Sequence, residues 1–292
     1  MHKYLKAIGF GNYTKQKEIK QLLDMVYENP DTVDATSVGS EVFVSMCKDF
    51  GEDFGLYIFG EYDDLDRFQI EYYYPYVTNE FSQCTFPGTI QRHADKFAYS
   101  VMCDDYHLGI SLIYYLRNTT DYIRYAQKFE KSHGYFSLNL SALSTHGKIL
   151  LPTLKTDKDR KKSKILSRQR ASLIESAKNG DAEAIENLTI EDIDLYNMAT
   201  KRILSEDLYS IVDTSFIPTG VECDHYSVIG EILACKEVKN RITGDTLYSM
   251  SIESNDLTFQ LLINQKNLLG VPEVGRRFKG EIWLQGMINF PE

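Results

Sequence analysis

Alternating apolar and polar positions mark the C-terminal part of the chain. Apolar residues occupy every second position within 248–252, 257–263 and 278–290, which is the period of a β-strand. A longer run, 226–238, is apolar on both faces and is interrupted by Gly230, as expected where one strand bends at a barrel corner. The pattern predicts a small OB-like β-barrel of four to five strands in residues 206–292. The alternative is a plain antiparallel sheet that completes the N-terminal domain.

Residues 1–154 contain strand-like segments separated by short turns. Helical spacing over residues 14–28 and 119–131 adds two helices. Because neighbouring strands with short turns pair antiparallel, the region is predicted to be an α+β domain, an antiparallel sheet with helices packed on one side. The strand pairs predicted as hairpins are 41–50 with 55–61, 96–103 with 109–117, and 135–143 with 148–151.

Residues 155–205 change to helical spacing and are predicted to form a helical connector between the two domains. Asn179-Gly180 ends the first helix, and a short helix, 181–188, precedes another that starts at Ile190. The segment 155–170 holds eight basic and two acidic residues. This basic run is interpreted as a solvated helix face, or as a surface that pairs with an acidic loop of its own or a second subunit.

Composition narrows the class of protein. The net charge of −10 argues against binding to nucleic acid or to anionic lipid. The five cysteines are scattered without a CxxC pair, so neither a disulfide framework nor a zinc ribbon is indicated. A membrane span and a signal peptide are not expected, because the sequence lacks a long apolar run. The expected setting is therefore the cytoplasm.

Three segments carry a family resemblance. They read GDAEAIENLTIEDIDLYNMATKRI from residue 180, DTSFIPTGVECDHYSVIGEI from residue 213 and VGRRFKGEIWLQGMINF from residue 274. These segments resemble an uncharacterised family from Gram-positive anaerobes, a domain of unknown function. The resemblance is strong over 180–290 and looser before it. It implies a cytoplasmic bacterial protein and carries over no catalytic residue.

The only tryptophan, Trp283, is the leading candidate for binding. If Ile282 and Leu284 face the barrel interior, Trp283 faces outward, where it could stack on a sugar, a base or a peptide side chain. The alternative is that Trp283 packs against another part of the same chain. Two further features could contribute to binding. These are the basic cluster Arg276, Arg277 and Lys279, which could hold a phosphate or carboxylate, and Tyr73, which alternation places opposite Tyr72 and Tyr74.

Catalytic and metal-binding motifs are weak by comparison. Cys84 with His93 is the best nucleophile–base pair, since an imidazole could generate the thiolate. Glu71 and Glu80 could act as a carboxylate pair. The sequence Cys223-Asp224-His225, together with Cys235, offers metal-ligand atoms at a spacing that matches no closed zinc site. No cofactor is expected, because P-loop and dinucleotide-binding motifs are absent from the sequence.

The sequence therefore favours a non-enzymatic binding or interaction protein. Its partner would be another protein or an extended polar ligand lying across the barrel wall and the Tyr-rich sheet. Two alternatives are open. One is a hydrolase that uses Cys84 and His93 or a carboxylate pair. The other is a homo-oligomer formed through the barrel or the connector.

Overall fold

The computed structural model of the chain describes residues 2–38, 41–79, 83–93, 98–105, 110–128, 135–153, 157–204, 208–220 and 224–290. After a 3₁₀ turn at Lys3–Lys6, helix α1 spans Gln16–Glu28. The Glu18 carboxylate accepts hydrogen bonds from the backbone N–H groups of Thr14 and Lys15 at 3.0 and 2.9 Å. Glu18 thereby satisfies two donors at the start of the helix. The predicted first helix is confirmed.

The first sheet contains four antiparallel strands in chain order. They are β1 (Thr32–Val38), β2 (Glu41–Asp49), β3 (Phe54–Tyr62) and β4 (Phe68–Val77). In β4, Tyr72, Tyr74 and Tyr76 are buried and Tyr73 is half-buried on the opposite face. The tyrosine-rich strand is thus mainly core, because alternation sends every second ring inward.

The second sheet is mixed and contains eleven strands. Its first part comprises β5 (Gln83–Arg92), β6 (Tyr99–Asp105), β7 (Ile110–Leu116), β8 (Tyr135–Ser144) and β9 (Gly147–Leu150), with helix α2 (Thr119–Lys128) between β7 and β8. Its second part comprises β10 (Ser215–Pro218), β11 (His225–Lys239), β12 (Thr246–Ser254), β13 (Leu257–Asn264), β14 (Leu268–Leu269) and β15 (Arg277–Asn289).

The predicted hairpin of residues 135–143 and 148–151 is wrong. Instead of pairing with each other, β8 and β9 follow one another along β15. Ser144, at the break, donates a hydrogen bond from its Oγ to a backbone carbonyl, with His146 and Glu281 both in range at 2.9 and 2.7 Å. This side-chain bonding holds the kink between the two strands, so the chain continues in the same direction instead of turning back.

The C-terminal strands do not form a sheet by themselves. Strand β8, from the N-terminal half, pairs with β13 in parallel and with β15 antiparallel. The second sheet is therefore mixed, whereas the sequence predicted antiparallel pairing. Strand β11 pairs with β15 over its first half and with β12 over its second half, and its register with β12 shifts between Ile232 and Ala234. Strands on both sides of the connector share this sheet, and the division into domains 1–154, 155–205 and 206–292 stays a prediction.

The connector folds into two long helices, α3 (Asp157–Lys178) and α4 (Ala182–Ile203), followed by the short helix α5 (Leu208–Ile211). The predicted break near Leu188 is wrong, because α4 continues through it. Thr189 donates its hydroxyl to the carbonyl of Ile185 at 2.8 Å within the helix instead of capping a new one.

Two hydrophobic cores share strand β15. The first lies between the first sheet, α1 and one face of the second sheet, and it includes Trp283. The second lies inside the second sheet and includes Ile282 and Leu284. Side chains that alternate along one strand therefore reach different cores, as the period of a strand requires.

Candidate ligand-binding pocket beside Trp283

Trp283 lies at the boundary between the first core and a pocket. Its side chain has only 4% of its surface exposed, so the predicted outward tryptophan is covered by its own chain. The Tyr4 ring stacks on it with ring centroids 5.3 Å apart, and Tyr115 contacts it at the same distance with a tilted ring. These contacts fix the indole in one orientation.

The carboxylate of Asp224 joins Trp283 to a histidine. Trp283 Nε1 donates to Asp224 Oδ2 at 2.8 Å, and Asp224 Oδ1 lies 2.8 Å from His225 Nδ1. The strand register explains this arrangement, because His225 is the first residue of β11 and pairs directly with Trp283 on β15. The Asp224 carbonyl also accepts the backbone N–H of Leu284 at 2.9 Å. Both carboxylate oxygens are thus bonded, and the imidazole of His225 is held in place.

His2 forms another part of the pocket wall. Its ring centroid lies 4.8 Å from that of Trp283. Within the described residues, the buried Nδ1 of His2 has no hydrogen-bond partner. Burial, followed by the charge of His225, lowers the pKa of His2 to about 4. His2 is therefore neutral at pH 7 and presents an uncharged imidazole.

The pocket has a volume of about 780 Å³. Strand β7 runs parallel to β15 and places Tyr115 opposite Gln285, which brings β6 and β7 to the same site. Burial raises the pKa of Tyr115, so its hydroxyl keeps its proton. The lining residues are His2, Lys3, Tyr4, Gln91, Arg92, His93, Ser100, Val101, Met102, Ile113, Tyr115, Asp224, His225 and Trp283.

A histidine and a serine, His93 and Ser100, form a hydrogen-bonded pair in the same pocket. His93 Nε2 and Ser100 Oγ share a hydrogen bond of 2.8 Å. His93 follows β5, and its backbone N–H donates to the carbonyl of Ala98 at 2.8 Å, which brings the imidazole beside β6. Serine and histidine at this distance can act as nucleophile and base when a substrate carbonyl is within reach.

Tyr73, predicted from sequence as a binding residue, lies behind the pocket wall. Its hydroxyl accepts a hydrogen bond from the backbone N–H of His2 at 3.3 Å. Tyr73 thus holds the N-terminal segment in place and is outside the set of lining residues.

The predicted basic cluster Arg276, Arg277 and Lys279 does not converge on one exposed site. The Arg277 guanidinium is buried and donates to the carbonyls of Leu151, Val212 and Tyr209 at 3.0, 2.6 and 2.7 Å. It thus serves as an internal clamp on backbone carbonyls and is not available to an anion. Arg276 pairs with Glu273 at 2.9 Å, and Lys279 donates to the Tyr209 hydroxyl at 2.6 Å.

The predicted Cys84–His93 pair is not supported by the backbone. The side chain of Cys84 lies outside the described part of the structure, but its backbone belongs to β5, which also leads to His93. At roughly 3.3 Å per residue, the nine residues from Cys84 to His93 span about 25–30 Å, too far for a thiolate–imidazole pair. Glu80 lies outside the described residues, so a Glu71–Glu80 pair stays a prediction.

The suggested metal ligands are only partly described. Cys223 lies outside the described residues, whereas Asp224 and His225 lie in the pocket and Cys235 lies further along β11. Among the side chains that the structure describes, no group of three His, Cys, Asp or Glu could hold a metal ion.

Most of the pocket could not be predicted from the sequence. His2, Tyr4, Arg92, Ser100 and Tyr115 lie far apart along the chain, and none belongs to a recognisable motif. His93 was singled out in the sequence for its chemistry, and the side chain that it contacts in the structure is Ser100. Asp224 and His225 had been considered only as metal ligands, and their place beside Trp283 follows from the pairing of β11 with β15.

Comparisons with known proteins identify a family without an assigned activity. The sequence profile described as a domain of unknown function, E. rectale gene description (DUF3881), matches residues 5–286. Neither the curated proteins nor the solved structures gave a significant match. In the described residues, no helix has both the length and the apolar character needed to span a membrane.

Proposed function

Because the chain belongs to the DUF3881 family, whose description names no activity, we propose its function from the pocket alone. We propose that the protein binds a small organic anion with a planar apolar part in the pocket beside Trp283. The observation that carries this proposal is the convergence of fixed aromatic rings and cationic side chains on one cavity. A small ligand replaces the extended ligand expected from sequence, because Trp283 has too little exposed surface to serve as an open platform.

The size of the pocket suits a small molecule. Its volume of about 780 Å³ lies within the range of roughly 300–1,000 Å³ that is usual for small-molecule sites. Valine, isoleucine, methionine and aromatic side chains supply apolar contact, while Gln91, His93 and Ser100 supply hydrogen-bonding groups. This mixture is typical of sites that select a ligand by a few directed polar contacts.

The charge of the lining favours an anion. Among the lining residues that the structure describes, Lys3 and Arg92 carry positive charge and Asp224 is the one carboxylate. Both oxygens of Asp224 are already bonded within the protein. The described lining therefore has a local excess of positive charge, although the chain as a whole carries a net charge of −10. Arginine suits a carboxylate or a phosphate because its guanidinium can donate two parallel hydrogen bonds.

The strand pairing in the second sheet supports the proposed OB-like barrel. It also favours a binding site away from the face that OB-folds usually use. Pairing runs from β11 through β12, β13, β8 and β15 and returns to β11. OB-folds commonly bind polymers on the face of their second and third strands, which correspond in this order to β12 and β13. Here Leu247 on β12 and Leu262 on β13 are buried in the first core. That face is covered, so a small ligand in the pocket fits better than a nucleic acid strand.

Fluorescence of the single tryptophan offers a direct test. Trp283 lies in the pocket wall, so a bound ligand should change its emission. The probes are benzoate and adenosine monophosphate, each paired with a neutral analogue, benzamide or adenosine. We expect a saturable change with at least one anion, with a Kd of about 1 mM or tighter, and much weaker binding of its neutral analogue.

Two arginine variants separate the pocket from general charge effects. Arg92→Gln should weaken binding about tenfold or more, because a charge-assisted hydrogen bond is worth roughly 1.5–3 kcal/mol. Arg276→Gln, which removes an equal charge outside the pocket, should leave the affinity unchanged. The proposal is wrong if no anion gives a saturable change, if the neutral analogues bind equally well, or if the two variants weaken binding alike.

The hydrogen bond between His93 and Ser100 favours hydrolysis as a second candidate function. Ser100 Oγ would attack an ester carbonyl while its proton passes to His93 Nε2, and the departing alcohol would take that proton. Water would then release the acid from the serine ester. We expect the wild-type protein to hydrolyse p-nitrophenyl acetate slowly. Ser100→Ala should abolish this activity. Ser172→Ala, the control at an exposed position of α3, should retain it. Equal activity of all three proteins would exclude Ser100 as the nucleophile.

A further inference from the structure

The α3–α4 hairpin exposes an unusual amount of apolar surface. Every side chain from Thr189 to Met198 in α4 is exposed, over almost three turns of helix. Tyr196 has 73% of its surface exposed, Met198 62% and Ile193 56%. A concentration of exposed apolar side chains on one element marks an interaction site. The large apolar side chains exposed on the hairpin are Ile165, Leu166, Ile185, Ile190, Ile193, Leu195, Tyr196 and Met198.

The two helices of the hairpin carry opposite charge. By sequence, α3 has eight basic and three acidic residues, a net charge of +5, and α4 has five acidic and two basic residues, a net charge of −3. Within the hairpin this attraction is already used, because Arg170 bonds to Asp192 at 2.6 Å and to Glu191 at 3.3 Å. Further charged side chains are exposed on both helices, including Lys162 and Arg168 on α3 and Glu186 and Asp194 on α4.

We propose that the α3–α4 hairpin is the dimer interface of this protein and that a second copy of the chain is its partner. In a two-fold dimer each surface meets itself, so α3 of one copy can lie against α4 of the other. The positive helix then faces the negative helix at both symmetry-related contacts. A partner that was uniformly basic or uniformly acidic would repel one of the two helices.

The dimensions of the hairpin fit a four-helix bundle. Each helix has 22 residues, which corresponds to about 33 Å of length. Two hairpins of equal length can pack together as a four-helix bundle and bury their exposed apolar side chains against each other. The proposal goes beyond ligand binding and does not depend on it, because the apolar residues of the hairpin are separate from the pocket lining.

Sedimentation equilibrium of the full chain at several concentrations tests the proposal. We expect a reversible shift towards twice the monomer mass of 33.6 kDa as the concentration rises. Tyr196→Arg should weaken the dimer about tenfold or more, because aromatic residues near the centre of an interface dominate its affinity. Leu269→Arg is the matched control, since Leu269 is equally exposed but lies on β14.

Charge reversal tests the chosen partner. Arg168→Glu places a negative charge on α3 and should weaken the dimer, and raising the salt concentration should weaken the wild-type dimer too. Circular dichroism of each variant checks that the hairpin remains helical. The proposal is overturned if the wild-type chain is monomeric at every concentration. It is also overturned if a dimer forms that Tyr196→Arg and Leu269→Arg affect equally.

Discussion

The indole N–H of Trp283 donates to one carboxylate oxygen of Asp224, and the other oxygen lies within hydrogen-bonding distance of His225. The carboxylate is therefore shared between a buried aromatic side chain and a pocket imidazole. Removal of either Trp283 or His225 leaves Asp224 without one of its hydrogen bonds, so the carboxylate links β15, which carries Trp283, to β11, which carries His225. We therefore expect changes to these contacts to affect both the stability of the fold and the shape of the pocket.

Replacement of Trp283 should lower the free energy of unfolding. Trp283→Ala removes a ring that packs between Tyr4 and Tyr115, so we expect a loss of about 3–5 kcal/mol in the free energy of unfolding. Trp283→Phe keeps most of the ring and loses the hydrogen bond to Asp224, with an expected loss of about 1–3 kcal/mol. Urea unfolding followed by circular dichroism measures both. A loss below 1 kcal/mol for Trp283→Ala would show an exposed side chain, as the outward orientation in the sequence pattern suggested.

Two adjacent arginines should differ sharply in their contribution to stability. Arg277 is only 5% exposed and donates to backbone carbonyls on both flanks of the connector, so Arg277→Met leaves those carbonyls without this donor. We expect a loss of about 2–4 kcal/mol. Arg276→Met removes an exposed ion pair and should change stability by less than about 1 kcal/mol. Chemical unfolding distinguishes the two, and equal effects would contradict the internal-clamp role of Arg277.

The N-terminal segment should depend on one buried amide. Asn240 Nδ2 donates to the Ile8 carbonyl at 2.7 Å, and Asn240 Oδ1 accepts the backbone N–H groups of Ile242 and Thr243 at 2.8 and 2.9 Å. Asn240→Ala removes all three bonds from a buried site, so we expect a loss of about 2–4 kcal/mol in the free energy of unfolding. The exposed Asn187 in α4 is the control, since Asn187→Ala should change stability by only a few tenths of a kcal/mol. A small effect of Asn240→Ala would show that the segment is held by packing alone.

Local patterns predicted the elements better than their partners. The alternation that assigned Ile282 and Leu284 to one face and Trp283 to the other is observed, because side-chain direction follows from the strand period. What covers Trp283 could not be read from that period. Tyr4 and Tyr115 reach it from distant parts of the chain, and the sequence contains no signal for such contacts.

The pairing of the strands is a second feature that could not be predicted from the sequence. The turn residues Thr145, His146 and Gly147 fit a hairpin as well as they fit a kink, and the pairing of β8 and β9 with β15 is decided by contacts more than 100 residues away. Arg277 shows the same limit for charge. An arginine at a strand entrance usually lies in solvent, and only the position of α5 and its flanking loop places backbone carbonyls around this one.

Acid should destabilise the fold through His2. Burial and the nearby charges of His225 and Lys3 lower the pKa of His2 to about 4, against 6.5 for an unperturbed histidine, while Asp224 acts in the opposite direction. Between these two values the unfolded chain binds a proton at His2 that the folded chain does not. The contribution of His2 to the free energy of unfolding is therefore complete above about pH 6.5 and is lost as the pH falls towards 4. The expected loss is on the order of 3 kcal/mol.

His2→Phe isolates this effect from the other groups that titrate in acid. The phenyl ring can keep the contact with Trp283 and cannot be protonated, so the variant should lose less stability than the wild type between pH 6.5 and pH 4. His146 is exposed, and His146→Phe should leave the pH dependence unchanged. Urea unfolding at a series of pH values measures the difference between each variant and the wild type. Parallel curves for wild type and His2→Phe would mean that His2 is accessible to protons in the folded protein.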